Sequence, residues 1–528
     1  MNDNRGRNRW LALLFICLSL LIISLDNTIL NVALPAISTD LGASQSELQW
    51  LVDAYILVFA ALLLTMGAIG DRIGRKRILQ FGILWFGAFS LMAALSNSVE
   101  MLVAARALLG LGGAIIMPAT LSLVTASFRE PGERAQAIAI WSAVFGLGMG
   151  IGPLLGGYLL EHFEWSALFF VNLPVVAIAL VGGFFFVEES RDEAAPPPDV
   201  PGVLLSIVGL FALVYGIIEA GVHGWGASQV MITLGVAAVV LIVFFVWESR
   251  AKNAMLPLYL FRNRSFTGAN VAITLMFFGM LGVFFAISQL FQSVQGYSAL
   301  ETGYRLFLPI SLTVMITAGL SARVAQRLGT KWTVGLGFLL AGSGMFLLSQ
   351  VTDANVPYGT LLGTMLLTAA GLGIAMSPAT NSIMGSVPAQ KAGVGSAMND
   401  TTREVGGALG VAVLGTVMNN TYLDQVVALR TQLPGEVYDV VSGSIQGAHV
   451  VASQVGGPTS TALLDVANRA FASGMADAMF IAAIVMVGAA LFTLSVLPSE
   501  IRCLEPECED EGEMDFRSTQ ELAPVSGD

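Results

Sequence analysis

GAIGDRIGRKRILQFG, residues 67–82, and ARVAQRLGTKWTVGLG, residues 322–337, are the two stretches that decide how this chain is built. The second is a weakened copy of the first: an Arg, a Gly, a Lys and a final Gly recur at matching places, while Gln326 stands where the first has Asp71. A second echo lies further along, GAIIMPATLS from Gly113 returning as GIAMSPATNS from Gly373. Both pairs are separated by nearly the same interval, so a long block of chain is repeated rather than a local motif.

The repeated material is membrane-spanning helix. The 528 residues are 55% hydrophobic and 12% charged, with a mean hydropathy of +0.75, which does not describe a water-soluble protein. Apolar runs long enough to cross a ~30 Å hydrocarbon core recur from end to end, and we read fourteen, the first at 10–34 and the last at 475–497. The first run follows Arg5, Arg7 and Arg9, yet it is too long for a signal peptide and lacks a small-residue cleavage site. The echoes match runs 2 to 4 with runs 10 to 12. The expected fold class is therefore an all-α membrane protein with fourteen transmembrane helices, arranged as two six-helix pseudo-symmetric halves, 1–187 and 266–498, plus an inserted two-helix hairpin. The hairpin, runs 7 and 8, falls in 188–265 and is reached through the charged, proline-rich linker EESRDEAAPPPD. A long external loop is expected at 420–474 and an acidic tail at 499–528. Two parallel repeats are the plan of a secondary transporter, whose substrate site lies between the halves near the midplane.

Composition narrows the function classes. The tail supplies two thirds of the net charge of −12, so no basic field is left to hold nucleic acid. Cys17 lies in an apolar run, and Cys503 and Cys508 lie in the tail without the second pair a zinc site needs. His162, His223 and His449 are too scattered for a metal centre, which also argues against a membrane-embedded enzyme. No GxxxxGK[ST] phosphate loop occurs, so neither ATP hydrolysis nor a cofactor is expected. This leaves the lipid bilayer and a small-molecule substrate as partners; protons, with accessory export proteins as an optional addition, are implied by the family resemblance given below. Of the 25 Lys and Arg, Arg106, Arg305 and Arg403 lie inside runs and Arg430 and Arg469 on one side; the rest gather at the other side, which predicts that both termini are cytoplasmic.

Ionisable groups inside apolar runs cost several kcal/mol unless they face water or a partner, so the few present are candidates for transport chemistry. Asp26 in run 1 falls ~12 Å and Asp53 in run 2 ~10 Å below the outer end of its helix, so the two could share one cavity. For Asp26 a structural hydrogen bond to the backbone, Asn27 or Asn31 is the competing reading; Asp53, in QWLVDAY, has nothing local to neutralise it. Run 13 carries NDTTREVGG, in which Asp400 and Glu404 share a helical face and Arg403 between them can neutralise at most one. One of these carboxyls is expected to exchange a proton as access alternates; a salt-bridged packing cluster is the alternative. Asp400, Glu404, Asn31, Phe284 and Gln289 are the candidate substrate contacts, although phenylalanine facing lipid is the commoner case. In the 67–82 loop, Gly67, Asp71, Arg72, Gly74, Arg75 and Lys76 are read as a conformational latch, with the carboxylate present in the first half only.

The same stretches resemble the major facilitator superfamily, and within it the fourteen-spanner drug/proton antiporter branch. The loop at 67–77 is similar to the superfamily's loop motif, LDNTILNVALP at 25–35 to the branch's first-helix signature, RALLGLGGA from Arg106 to the fourth-helix motif, and GMGIGPLLGG at 148–157 to the antiporter motif. The resemblance covers nearly the whole chain. It implies a proton-coupled antiporter in the cell membrane (plasma or inner) that exports drugs or other amphipathic or cationic compounds by alternating access. In it Arg106 would assist proton exchange on a carboxylate, and Gly148, Gly152, Pro153, Gly156 and Gly157 would mark antiport. A dedicated exporter of one metabolite or antibiotic is the nearest alternative, with a proton-linked importer behind it. Two departures stand out: Ser166 and Ala167 replace the branch's usual Arg and Trp, and Glu404 replaces its usual Gln.

Overall fold

The computed structural model describes residues 2–192, 199–353, 356–431 and 433–499, with the side chains of 2–7, 31, 45, 46 and 299 excepted. The expectations for the acidic tail with Cys503 and Cys508, and for the Asn31 side chain, fall outside the described residues. No strand occurs among the described residues.

The helices, in chain order, are α1 (Asn2–Leu41), α2 (Gln45–Ile73), α3 (Arg75–Ala94), α4 (Val99–Ser127), α5 (Pro131–His162), α6 (Ala167–Phe186), α7 (Val200–His223), α8 (Ser228–Glu248), α9 (Arg264–Val294), α10 (Leu300–Leu328), α11 (Thr330–Val351), α12 (Tyr358–Gly385), α13 (Ala392–Val426) and α14 (Gly457–Val496). Thirteen helices among the described residues are long and apolar enough to cross a membrane. The remaining one, α13, is 35 residues long but less apolar because it carries NDTTRE.

Local chemistry sets the boundaries. Ser44 and Glu47 form a reciprocal capping box that starts α2. A single residue, Gly74, separates α2 from α3; its φ of 124° is a conformation L side chains rarely adopt, and a Cβ there would lie 2.8 Å from the Glu189 carboxylate. The copy has the same construction, with Gly329 at φ 81° between α10 and α11. The repeat extends to what holds these turns. Arg75 N donates to Ser190 O just past α6, and Thr330 N donates to Ser499 O just past α14.

The glycines of α5 divide into two stripes. Gly148, Gly152 and Gly156 face Ser24, Thr28 and Ile29 of α1, while Gly146, Gly150 and Gly157 face Val314, Ser311 and Leu300 of α10. On α13, Gly406 and Gly410 face Thr274 and Phe278 of α9, and Gly393 faces α2 at Gly67 and Asp71. Each half thus closes on itself through one stripe and meets the other half through a second. The halves join along two seams, α2 with α13 and α5 with α10.

The inserted hairpin, α7 and α8, lies over one of these seams. Leu57 and Ala60 of α2 pack on Val214 of α7, and Leu64, Leu210 and Phe244 pack with Val394 and Ala397 of α13. Trp225, between α7 and α8, donates to Thr416 of α13 at 3.3 Å. One expectation needs correction: 420–474 is not an open loop. α13 runs on to Val426, and helices Gly435–Gly443 and Ile445–Val455 follow before α14 begins at Gly457. The reason is amphipathic patterning, since Val441, Ile445, Ala448, Val451 and Ala452 bury one face. Near the departures at Ser166 and Ala167, the loop is anchored by Trp165, which donates to Asp40 at 2.7 Å and meets Phe169 edge-on.

Candidate functional site

In the first half, Arg106 of α4 pairs with Asp26 of α1 at 2.5 Å, and both are almost completely enclosed, at 2% and 1% exposure. Arg106 Nε donates to Leu51 O at 3.1 Å, and the guanidinium carbon stands 4.4 Å from the centre of the Tyr55 ring. Three helices therefore meet on one guanidinium. Asp26 Oδ1 and the Tyr55 hydroxyl, both buried, have no hydrogen-bond partner in the structure. Asp26 is thus paired with an arginine 80 residues away in the chain, a partner from another helix.

Asp53 is half-buried, and the expectation that it shares a cavity with Asp26 does not hold. Leu51 and Tyr55 face Arg106, so at 100° per residue Asp53 points to the opposite side of α2. There its polar neighbours are Gln49, one turn back, and Glu219 of α7. Glu219 in turn meets His223 at 3.0 Å and accepts from Gln229 at 3.4 Å. Gln49 carries no charge, and Glu219 is a second carboxyl beside Asp53.

In the second half, Asp400 and Arg403 are buried at 1% and 2% exposure and Glu404 is half-buried. Asp400 Oδ1 accepts from Asn399 Nδ2 at 3.0 Å, and Oδ2 has no partner. No ion pair joins Arg403 to either carboxylate, so the salt-bridged packing cluster given as the alternative is not what the geometry has here. The Arg403 guanidinium instead enters a cage of rings, 4.8 Å from the centre of Trp141, 5.0 Å from Phe145 and 5.2 Å from Phe277. Such contacts are worth about 2 kcal/mol when desolvated. Arg403 Nη2 donates to Thr380 Oγ1 at 3.1 Å, whereas Nε and Nη1 have no partner. Trp141 is fixed by donating to Thr120 at 3.1 Å and by stacking on Phe145 at 6.3 Å. Trp141 and Phe145 belong to α5 of the first half, so the cage spans the two halves. Tyr55 on α2 and Glu404 on α13 belong to two helices that pack on each other, so both clusters border the α2–α13 seam.

The loop at 67–77 joins the halves on the side of the chain's N-terminus. Asp71 Oδ1 accepts from Gly393 N at 2.8 Å and Oδ2 from Val394 N at 3.2 Å, an anion set on the first turn of α13. Arg75 clasps Asp71 at 2.7 Å and also donates to Ala389 O and Gln390 O at 2.7 and 3.0 Å. Gly67 is required because a Cβ there would collide with the Gly393 and Ala397 positions. Arg72 is exposed and outside this network, while Lys76 donates to Phe184 O at 2.8 Å. Glu189 accepts from Lys76 N and Arg77 N at 3.0 and 3.2 Å, capping α3. Sequence reasoning passed over Glu189 because an acid in a charged linker looks like a solvated one.

Of the remaining candidates, Phe284 stands edge-on to Phe307 at 6.0 Å. Gln289 is held at the far end by Gln446 at 3.2 Å, away from the buried charges. No His, Cys, Asp and Glu group among the described residues is arranged to hold a metal ion.

Comparison with known proteins supplies the remaining observations. The description Major Facilitator Superfamily matches residues 16–411. The chain is 38% identical to the multidrug efflux pump LfrA of Mycolicibacterium smegmatis, over 91% of this chain and 95% of that one. It is 34% identical to the tetracenomycin C resistance and export protein of Streptomyces glaucescens, over 94% and 93%. Among solved structures, the proton:xylose symporter XylE matches with a TM-score of 0.60 over 94% of this chain and 97% of that one; at 13% identity, this speaks to fold alone.

Proposed function

The chain belongs to the Major Facilitator Superfamily, and from that premise we propose that it is a proton-coupled antiporter exporting amphipathic and cationic compounds across the cell membrane, with both termini cytoplasmic. The observation that carries this reading is the presence of two enclosed charged clusters, Asp26 with Arg106 and Asp400 with Arg403, the second with half-buried Glu404 beside it, on helices that line the seams between the halves. Carboxylates there can hold a proton or a cation in turn as the halves rock.

In this reading 1–187 and 266–498 are the moving halves and 188–265 covers one seam. Glu404 and Asp400 take the cationic substrate, with Asn31 and Phe284 as further contacts. Asp53 serves the proton step towards the far side, and Arg106 holds Asp26 for proton exchange. Asp71 and Arg75 latch the near side by gripping the start of α13. The two stripes of α5, with Pro153 between them, are the sliding surfaces of antiport. The likeness to a tetracenomycin C exporter favours a second reading, a pump dedicated to one compound with the same mechanism. A resistance profile of an efflux-deficient host expressing the chain separates the two: protection against several unrelated cations supports the broad pump, and protection against one compound supports the dedicated one.

A further inference from the structure

The most enclosed cation of the central region belongs to the chain itself. Arg403 leaves two buried N–H-bearing nitrogens, Nε and Nη1, without partners, and the neighbouring Asp400 leaves Oδ2 without one. On hydrogen-bonding grounds the pair should close, because a charge-assisted bond is stronger than none and unmade ones are costly. What holds the guanidinium away is the ring cage of Trp141, Phe145 and Phe277, helped by the single bond to Thr380. Arg403 therefore has two resting places, the rings and the carboxylate, with only the first occupied here. The guanidinium is flat, delocalised and singly charged, and a cage that accepts it accepts an organic cation of the same description.

We propose that the Trp141–Phe145–Phe277 cage is a binding site for the charged ring of a flat organic monocation, and that Arg403 fills it until such a cation displaces the guanidinium towards Asp400. The ligand class rests on the export reading above; the self-occupied cage rests on the geometry. Because Trp141 and Phe145 lie on α5 and Arg403 on α13, the exchange also replaces a tie between the halves made by the protein with one made by the cargo.

Purified full-length protein, titrated with ethidium as the flat fluorescent monocation, tests this. Arg403→Met empties the cage and should tighten ethidium binding about tenfold, the loss of a competitor worth about 1–2 kcal/mol. Thr380→Val removes the bond that steadies the guanidinium and should tighten binding by a smaller factor. Adding Trp141→Leu to Arg403→Met should abolish the gain. If Arg403→Met does not yield monodisperse protein, Thr380→Val decides. Binding that is unchanged or weaker in the deciding variant overturns the proposal. Failure of the export reading shows separately, as unaltered protein that drives no gradient-dependent cation efflux from vesicles, and it leaves the binding result standing on its own.

Discussion

Asp26 and Arg106 stand 2.5 Å apart with almost no exposure, so each is the opposite charge that compensates the other for leaving water. Removing one partner strands the other. We expect Arg106→Ala or Asp26→Asn to cost about 3–5 kcal/mol of stability, read as a large fall in the unfolding temperature of the detergent-solubilised protein. The double substitution Asp26→Asn with Arg106→Gln should cost less than the sum of the single ones; strict additivity would mean that the pair is not energetically coupled. A second expectation separates the exposed-side acids. Glu404→Gln should weaken export of dications more than monocations, because Asp400 alone then faces the substrate, whereas Asp53→Asn should slow export of every substrate. Equal effects of Glu404→Gln on both classes, or full efflux with Asp53→Asn, would contradict that division. The charged residues themselves were legible in the sequence because each interrupts an apolar run. Their partners were not, since pairing depends on which helix faces meet across 80 residues. Trp141 and Phe145 were invisible as a cage because an aromatic ring in an apolar helix looks the same whether it meets lipid or a guanidinium.

At the scale of helices, the 67–82 loop was the most informative stretch and also the one most completely reflected in the structure. Its glycines predict close approach and a tight turn, and Gly74 alone makes the turn between α2 and α3. The sequence does not reveal what Asp71 grips, namely two backbone N–H groups of α13, because backbone donors carry no signature of their own. Asp71→Asn retains the shape but loses the charge that suits a helix start, so transport should fall several-fold with membrane-inserted protein little changed. Gln326→Asn, at the matching place of the second half, should be mild. Equal damage from the two at matched expression would show that the carboxylate is not special. Run 13 reads as helix despite its polar NDTTRE, whereas the helices at 435–443 and 445–455 carry no such signal because their short apolar faces sit among Gly, Ser and Gln.

For the whole molecule, the repeat carries more than the helix order. The turns at Gly74 and Gly329 are each tied to the segment that ends their own half, at Ser190 and Ser499, and the halves meet through α2 with α13 and α5 with α10. That symmetry gives two equivalent seams, and the inserted hairpin covers one of them. The charged groups are not symmetric: the carboxylate of the latch occurs once, and the arginine of one half is paired to an acid while the arginine of the other is caged by rings. Such asymmetry suits the exchange of unlike species proposed above, a proton in one direction and cargo in the other. The most direct test places the purified protein in sealed vesicles loaded with a cationic dye and imposes a proton gradient. Dye should move against its own gradient in exchange for protons, and a protonophore should stop it at once. Dye movement against its own gradient that is unchanged when the proton gradient is collapsed would contradict the account.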